Sequence, residues 1–178
     1  MKVIHKSYKF KITPDNEQKE LLAKHFGACR FVFNRYLNSR KETYLEEKKS
    51  LNYYDNANDL TVLKKDEQFV WLKEINSQSL QSSLRNLDTA YNKFFRKQTK
   101  FPRFKSKFDK QSFTVPQSVY IEEGKLQIPK FKKGIEINIH REIEGKLLFV
   151  ELEKFLIWKV QHAYFIQIEQ FKIIRNVE

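Results

Sequence analysis

The chain has 178 residues, enough for one domain or for one domain with an insertion. Hydrophobic residues make up 40% of it and aromatic residues 15%, which excludes a disordered protein although 31% of the residues are charged. The formal net charge of +12 favours a polyanionic partner, nucleic acid before an anionic membrane surface, and argues against a small-molecule substrate.

Membrane and redox features are missing from the sequence. No apolar run approaches the roughly 18 residues of a spanning helix, and the amino terminus lacks the apolar core of a signal peptide. Cys29 is the only cysteine, which excludes an intramolecular disulfide and a cysteine zinc cluster. We therefore expect a cytoplasmic protein without a membrane partner.

The first half of the chain is predicted to form a strand and then helices. Residues 1–12 alternate between apolar and polar side chains, which predicts a half-buried strand. Thr13 and Pro14 then open a long helix to about Lys48, and Gly27 leaves open whether it is one helix or two. The polar stretch 50–59 is predicted as a loop leading into a short helix that ends near Trp71.

A second strong helix is predicted to begin at Asn76. Its apolar residues recur at alternating four- and three-residue spacing, at Leu80, Leu84, Leu87, Tyr91 and Phe94. Short strands follow at 111–115, 119–122, 125–129, 135–140, 146–154 and 163–170. The order of strand, helices and strands indicates an α+β fold, a β-barrel or sandwich interrupted by a helical insertion.

Positive charge is concentrated in residues 93–110, called here the basic segment. Eight basic residues stand there against Asp109 alone, a net +7 of the chain's +12. The candidates for binding phosphate are Lys93, Arg96, Lys97, Lys100, Arg103, Lys105 and Lys107. Five phenylalanines interleave with the cations, and they either anchor the segment to the core, which we favour, or stack on unpaired bases.

The polar face of the second helix is a candidate for reading bases. A helical wheel places Gln78, Gln81, Ser82, Arg85 and Thr89 opposite the leucine stripe. Glutamine can bind adenine, and arginine can bind guanine, through paired hydrogen bonds in the major groove. A merely solvated face would have the same composition, but the neighbouring basic segment favours base reading because phosphate contacts position a helix on DNA.

Catalytic motifs are absent from the sequence. The four glycines do not form a phosphate-binding loop, the four histidines lie far apart, and the acids after Gly145 are typical of exposed strand charges. The sequence therefore predicts no catalytic residue, no metal site and no cofactor.

A series of short segments occurs in one order along the chain: KSYKFKITP (6–14), EQ (17–18), FGACRFVFN (26–34), LT (60–61), WLKE (71–74), SQSLQ (77–81), NLD (86–88), FFR (94–96) and FPRF (101–104). Together they resemble the amino-terminal half of TnpB/OrfB proteins, which are transposon-encoded, RNA-guided DNA endonucleases of the helix-turn-helix class. The resemblance covers most of residues 1–146. It implies a wedge domain, a small β-barrel formed by residues 1–13 and 105–178, with a helical recognition domain, 14–104, inserted. From about residue 155 the chain follows the family poorly, and we expect an atypical tail there.

The resemblance further implies that these domains bind guide RNA and read a short DNA motif beside the target. Carried over by motif position, the base-reading candidates are Tyr53, Ser77, Gln78, Gln81 and Thr114, to which the helical wheel adds Arg85. Arg103, Lys105 and Lys107 would contact phosphates.

The RuvC nuclease domain of this family would follow the last residue of the chain, so we expect no nuclease activity. The leading hypothesis is a truncated transposase accessory protein that binds guide RNA and duplex DNA, with a full-length paralogue or a separately encoded nuclease as candidate partner. The alternative is a stand-alone, sequence-specific DNA-binding regulator.

Overall fold

The computed structural model describes residues 2–143, 146–157 and 161–174. These residues form an α+β fold, in which three α-helices and one 3-10 helix follow the first strand and precede the remaining strands of a seven-stranded antiparallel sheet. The predicted α+β class, with helices inserted after the first strand, is confirmed. The chain divides into two compact units, the first comprising Met1–Ala23 and Lys110–Glu178 and the second Lys24–Asp109.

The elements follow in this order. Strand β1 spans Lys2–Thr13, and the helices are α1 (Asn16–Glu47), α2 (Tyr53–Leu63), a 3-10 helix (Glu67–Glu74) and α3 (Ser77–Phe95). The later strands are β2 (Gln111–Val115), β3 (Tyr120–Glu122), β4 (Lys125–Gln127), β5 (Ile135–Asn138), β6 (Lys146–Ile157) and β7 (Gln161–Ile174).

The sheet has the strand order β2-β6-β7-β1-β5-β4-β3, in which β7 pairs with β6 on one side and with the central strand β1 on the other. Phe10 lies opposite Ile166, and Ile12 lies opposite Tyr164. All four side chains are buried. Because alternate residues of a strand point to one face, these cross-strand pairs build the core of the first unit.

The prediction of a β-barrel is wrong, because the sheet is open. In the described residues no pairing joins the edge strands β2 and β3, which pair only with β6 and β4 respectively. Closing a sheet requires edge strands long enough to carry a staggered ladder of hydrogen bonds. Strand β3 has only 3 residues and β2 only 5, so short edges end the sheet instead.

Two helix predictions are decided by the structure. Helix α1 is continuous through Gly27 and runs for 32 residues. The predicted loop at 50–59 is wrong, because α2 begins at Tyr53 and a 3-10 helix, rather than α2, contains Trp71. Asn52 caps α2 by accepting hydrogen bonds from the Tyr54 and Asp55 amides, while the Asp55 carboxylate accepts one from the Asn52 amide.

The apolar stripes of the helices build the core of the second unit. Leu80, Leu84 and Leu87 of α3 are fully buried. Cys29 of α1 is also buried, with its Sγ 3.6 Å from the Ser79 carbonyl oxygen. No helix among the described residues has the length and apolarity needed to cross a bilayer.

Candidate nucleic-acid interface

The outward face of α3 is set by the way the helix starts and packs. The Asn76 side chain caps its first turn, accepting a hydrogen bond of 3.1 Å from the Gln78 amide. Since the leucine stripe is buried, the opposite side meets solvent, and Gln81, Arg85 and Thr89 are exposed there. These three side chains are therefore accessible to a nucleic-acid groove.

Ser77 and Gln78 differ in their availability. Ser77 is exposed, and its hydroxyl oxygen accepts a hydrogen bond of 3.0 Å from the Lys64 ammonium group. Gln78 is half-buried, and its amide oxygen is buried without a hydrogen-bond partner among the described residues. Of the two glutamines on this helix, Gln81 therefore presents its amide to solvent more freely.

Tyr53 and Arg85 lie together on neighbouring helices. The Arg85 guanidinium carbon is 5.5 Å from the centre of the Tyr53 ring, a cation–π contact between α2 and α3. The exposed Tyr54 ring lies edge-on to Tyr53 at 5.4 Å. The structure thus brings two predicted base-reading residues into contact, and it adds Tyr54, which sequence reasoning missed. The capping residues Asn52 and Asp55 were the signal that a helix begins here.

Thr114 belongs to the first unit. It is half-buried on β2, where it pairs with Glu151 of β6. The other predicted base-reading residues belong to the second unit.

All seven predicted phosphate-binding residues are exposed. Within the described residues, no carboxylate lies at ion-pair distance from five of them: Lys93, Arg96, Lys97, Lys100 and Arg103. Such unneutralised cations keep their full attraction for an external anion.

The basic segment is fixed to α1 through Lys105. The Lys105 amide donates a hydrogen bond of 2.7 Å to the Asn34 side chain, and its carbonyl oxygen accepts one of 2.9 Å from the same side chain. The ammonium group of Lys105 lies 4.4 Å from the centre of the Phe33 ring. Backbone contacts of this kind give the segment a defined course while leaving its other cations exposed.

The favoured prediction that the phenylalanines anchor the basic segment is wrong for most of them. Phe95, Phe101, Phe104 and Phe108 are exposed, and only Phe94 is half-buried. The apolar residues that fill the nearby core come from the leucine stripe of α3 instead. Exposed aromatic rings among cations fit the alternative weighed from the sequence, stacking on bases.

A polar groove on α1 was also missed. A cavity of about 750 Å³ is lined there by Arg30, Asn34, Arg35 and Asn38, among others. The Arg35 guanidinium carbon lies 5.1 Å from the centre of the Phe69 ring. Arg30, Asn34 and Asn38 are spaced by four residues, a pattern that places them on one face of a helix and could have identified the groove.

In the first unit, one buried carboxylate, that of Glu153, forms ion pairs with two lysines. Glu153 on β6 is 1% exposed and pairs with the Lys9 ammonium group at 2.6 Å and with that of Lys110. Burial raises the pKa of the Glu153 carboxyl, but hydrogen bonds from Lys110 and Lys9 outweigh it and hold the pKa below its usual range. Lys110, counted in the basic segment, is therefore a structural cation.

The Cys29 thiol and the His25 imidazole are buried in the core of the second unit. Burial raises the pKa of the Cys29 thiol to about 11, so the thiol stays protonated at neutral pH. The Nε2 atom of the buried His25 accepts a hydrogen bond of 3.2 Å from the Asn76 amide. In the part of the chain that the structure describes, no group of three or more His, Cys, Asp or Glu residues could hold a metal ion.

Comparison with known proteins gives a consistent family of relatives. An OrfB-type helix-turn-helix domain matches residues 1–49, the range that holds β1 and the continuous helix α1. A protein of Escherichia coli (strain K12) named as an RNA-guided DNA endonuclease, InsQ, is 38% identical over 126 residues, which are 70% of this chain and 31% of InsQ. A Streptomyces pristinaespiralis protein, also named as an RNA-guided DNA endonuclease, is 32% identical over 145 residues, 80% of this chain and 36% of that protein.

A third relative is shorter. The virulence protein VsdF of Salmonella dublin is 35% identical over 108 residues, which are 56% of this chain and 91% of VsdF. The chain thus spans about a third of the length of the two endonuclease relatives and nearly all of VsdF.

Proposed function

Because the chain belongs to the OrfB/TnpB family, matching the amino-terminal part of its RNA-guided endonucleases, we propose that it binds nucleic acid, with guide RNA and duplex DNA as partners. One observation carries the proposal: seven exposed cations follow one another in the basic segment, and five of them lack a carboxylate partner among the described residues. Cations that the protein does not neutralise can displace counterions from phosphates, which supplies most of the affinity for nucleic acid.

The proposed roles divide between phosphate and base. The seven cations of the basic segment bind phosphates, and the exposed Gln81 and Arg85 of α3 read base edges beside Tyr53. Ser77 and Gln78 at the start of α3, and Thr114 on β2, are proposed as further base contacts. Their half-buried or hydrogen-bonded positions support smaller contributions from them.

We propose the same division into wedge and recognition domains that the family resemblance implies. Residues 1–13 and 105–178 would form the wedge domain, and residues 14–104 the recognition domain. Support comes from the segregation of the helices from the sheet along the chain.

We further propose that these residues hold nucleic acid and do not cut it. The match covers 31% and 36% of the two endonuclease relatives, and we propose a full-length paralogue or a separately encoded nuclease as the partner that cuts. Metal-dependent cleavage of DNA by the pure protein would contradict this part.

The decisive experiment is a salt titration of binding. Fluorescence anisotropy with a labelled RNA hairpin and a labelled DNA duplex gives the dissociation constant at several salt concentrations. For duplex DNA, seven phosphate contacts predict a log–log slope of up to about 6. Replacing Lys93, Arg96 and Lys100 together with glutamine should lower the slope by about three.

The matched control removes three charges from elsewhere in the same unit, with Lys24, Lys49 and Lys65 replaced by glutamine. This control should keep nearly the whole slope. Affinity that does not respond to salt, or equal losses in both triple variants, would overturn the proposal.

The alternative, a sequence-specific DNA-binding regulator, is favoured by the exposed amide and guanidinium groups of Gln81 and Arg85. A selected duplex sequence should then lose about 1–3 kcal/mol of binding free energy on Gln81→Ala, while a random duplex changes little. Thr89→Ala, on the same exposed face, is the control. Equal effects on both duplexes would exclude base reading by Gln81.

A further inference from the structure

A cavity in the second unit has no role in the function proposed above. Its volume is about 550 Å³, within the range of roughly 300–1,000 Å³ that small-ligand sites occupy. Its apolar lining includes Tyr44, Leu45, Tyr91, Phe94, Phe95 and Phe101. We call it the aromatic pocket.

The walls of the aromatic pocket come from α1, from residues 50–52 before α2, from α3 and from Phe101 after α3. The Phe101 ring packs edge-on against Phe94 at 5.3 Å and against Tyr91 at 5.6 Å, with interplanar angles of 87° and 86°. Phe95 lies 5.4 Å from Phe94 and remains 67% exposed. The rings are thus held by one another, and an exposed ring is left for a ligand.

The aromatic pocket also has two charged lining residues, Arg40 and Asp88, whose charges balance each other in an ion pair. Arg40 is 5% exposed and binds Asn56 at 2.6 Å and Asp88 at 3.1 Å, and its guanidinium carbon lies 5.2 Å from the centre of the Tyr91 ring. The Asp88 carboxylate also accepts a hydrogen bond of 3.2 Å from Asn92. Because its charge is balanced by Arg40, this carboxylate does not repel an anionic ligand strongly.

Cations accompany the aromatic pocket along the chain. Residues 96–100 connect the lining residues Phe95 and Phe101, and they carry the exposed Arg96, Lys97 and Lys100 without an acid. Lys41 lines the pocket itself. Aromatic rings with neighbouring cations are the combination that binds single-stranded nucleic acid, in which rings stack on bases and cations meet phosphates.

We propose that the aromatic pocket takes an unpaired base of a single-stranded segment, stacked on Phe95, with the flanking phosphates on Arg96, Lys97 and Lys100. This inference rests on the proposed nucleic-acid binding and names a base-stacking subsite for it. An apolar peptide would use the rings but leave Arg96, Lys97 and Lys100 without a partner, so charge complementarity favours a base with its flanking phosphates.

The test uses the full chain and a single-stranded RNA with one 2-aminopurine, whose fluorescence falls when the base stacks. Binding to the protein should quench this fluorescence. Phe95→Ala should abolish the quenching and weaken single-strand binding by about five-fold to about a hundred-fold, the range found for loss of one stacking ring. Phe95→Tyr keeps a ring and should restore both, whereas Phe95→Leu, which is apolar without a ring, should not.

The control is Tyr120→Ala, since the Tyr120 ring is 54% exposed on β3, has no part in the proposed binding and does not line the aromatic pocket. It should leave quenching intact. If the unaltered protein binds RNA with the expected salt dependence but Phe95→Ala quenches and binds equally well, the pocket proposal fails while the proposed function stands. If the protein binds no nucleic acid at all, both fail.

Other occupants give different outcomes. Self-association in sedimentation that Phe95→Ala abolishes and Phe95→Leu retains, with no quenching of 2-aminopurine, would place a second copy in the pocket and overturn the proposal.

Discussion

In the first unit, Lys9 and Lys110 both ion-pair with the buried carboxylate of Glu153. In the second unit, Lys93, Lys97 and Lys100 have no carboxylate at ion-pair distance among the described residues. Each of these five lysines adds one unit to the formal net charge, but the first two are held by a carboxylate of the protein and, in the part of the chain that the structure describes, the other three are not. The net charge favours a polyanionic partner, and the ion pairs separate the cations that hold the fold from those proposed to bind phosphate.

The largest effect on stability is expected from Glu153→Gln, which removes the carboxylate that ion-pairs with Lys9 and Lys110. A buried carboxylate with two ion pairs is replaced by a neutral amide, and the two lysines, 46% and 54% exposed, recover part of their hydration. We expect the free energy of unfolding to fall by about 2 kcal/mol, below the 3–5 typical of fully buried pairs. Urea unfolding measures this.

Affinity for a DNA duplex should not fall in this variant when it is measured under folding conditions, because none of the seven proposed phosphate-binding residues is changed. A change in unfolding free energy below about 0.5 kcal/mol, the usual range of a surface substitution, would show that Glu153 is not the structural partner of these lysines.

A second test of the same pairing uses pH. The Glu153 carboxyl has a pKa of about 4.3 in an unfolded chain and a lower one in the folded protein, so the unfolded state takes up the proton first as pH falls. The stability from its ion pairs is therefore complete above about pH 5 and is lost as pH falls through the folded pKa. The stability difference between the unaltered protein and Glu153→Gln should shrink between pH 5 and pH 3.

The affinity for nucleic acid, measured over the same pH range, should behave differently from the stability. The ion-pair partners of Glu153, Lys9 and Lys110, are not among the proposed phosphate-binding residues, so affinity should be flat between pH 5 and pH 8, where these ion pairs are complete. A stability difference that is independent of pH would argue that Glu153 is not ionised in the folded protein.

The smallest effects come from a matched pair, Lys110→Met and Lys100→Met. Each removes one lysine charge, but Lys110 has a buried partner and Lys100 has none among the described residues. We expect Lys110→Met to destabilise the protein by about 1 kcal/mol with no change in salt slope, and Lys100→Met to lower the slope by about one with a stability change within about 0.5 kcal/mol. Identical behaviour of the two variants would break the comparison.

The periodic elements could be predicted from the sequence. Strand β1 and helices α1 and α3 follow apolar spacings that only one structure satisfies, and Asn76 marks the start of α3 as predicted. Helix α2 was missed because its asparagines and aspartates are typical of loops, although Asn52 and Asp55 form a capping box. The open sheet could not be predicted, because strand order and closure depend on pairing between distant residues.

The types of residue at the candidate site could be predicted from the sequence, but the exposure of individual side chains could be predicted only in part. The wheel correctly placed Gln81, Arg85 and Thr89 on the exposed face of α3, but it could not show that the Gln78 amide oxygen is buried. The sequence alone does not distinguish Lys110, which ion-pairs with Glu153, from Lys100, which has no ion-pair partner among the described residues. It also could not place Phe95 and Phe101 around a shared cavity with Tyr44, since Tyr44 lies on a different helix.

The position of β7 has a consequence for biosynthesis. Of the seven described strands, β7 is translated last, yet it lies between β1, which is translated first, and β6. The residues of the second unit, by contrast, are contiguous in the chain and emerge earlier. Such connectivity delays completion of the sheet until translation reaches residues 161–174, and during that delay β1 has an unpaired edge that chaperones or other nascent chains can reach.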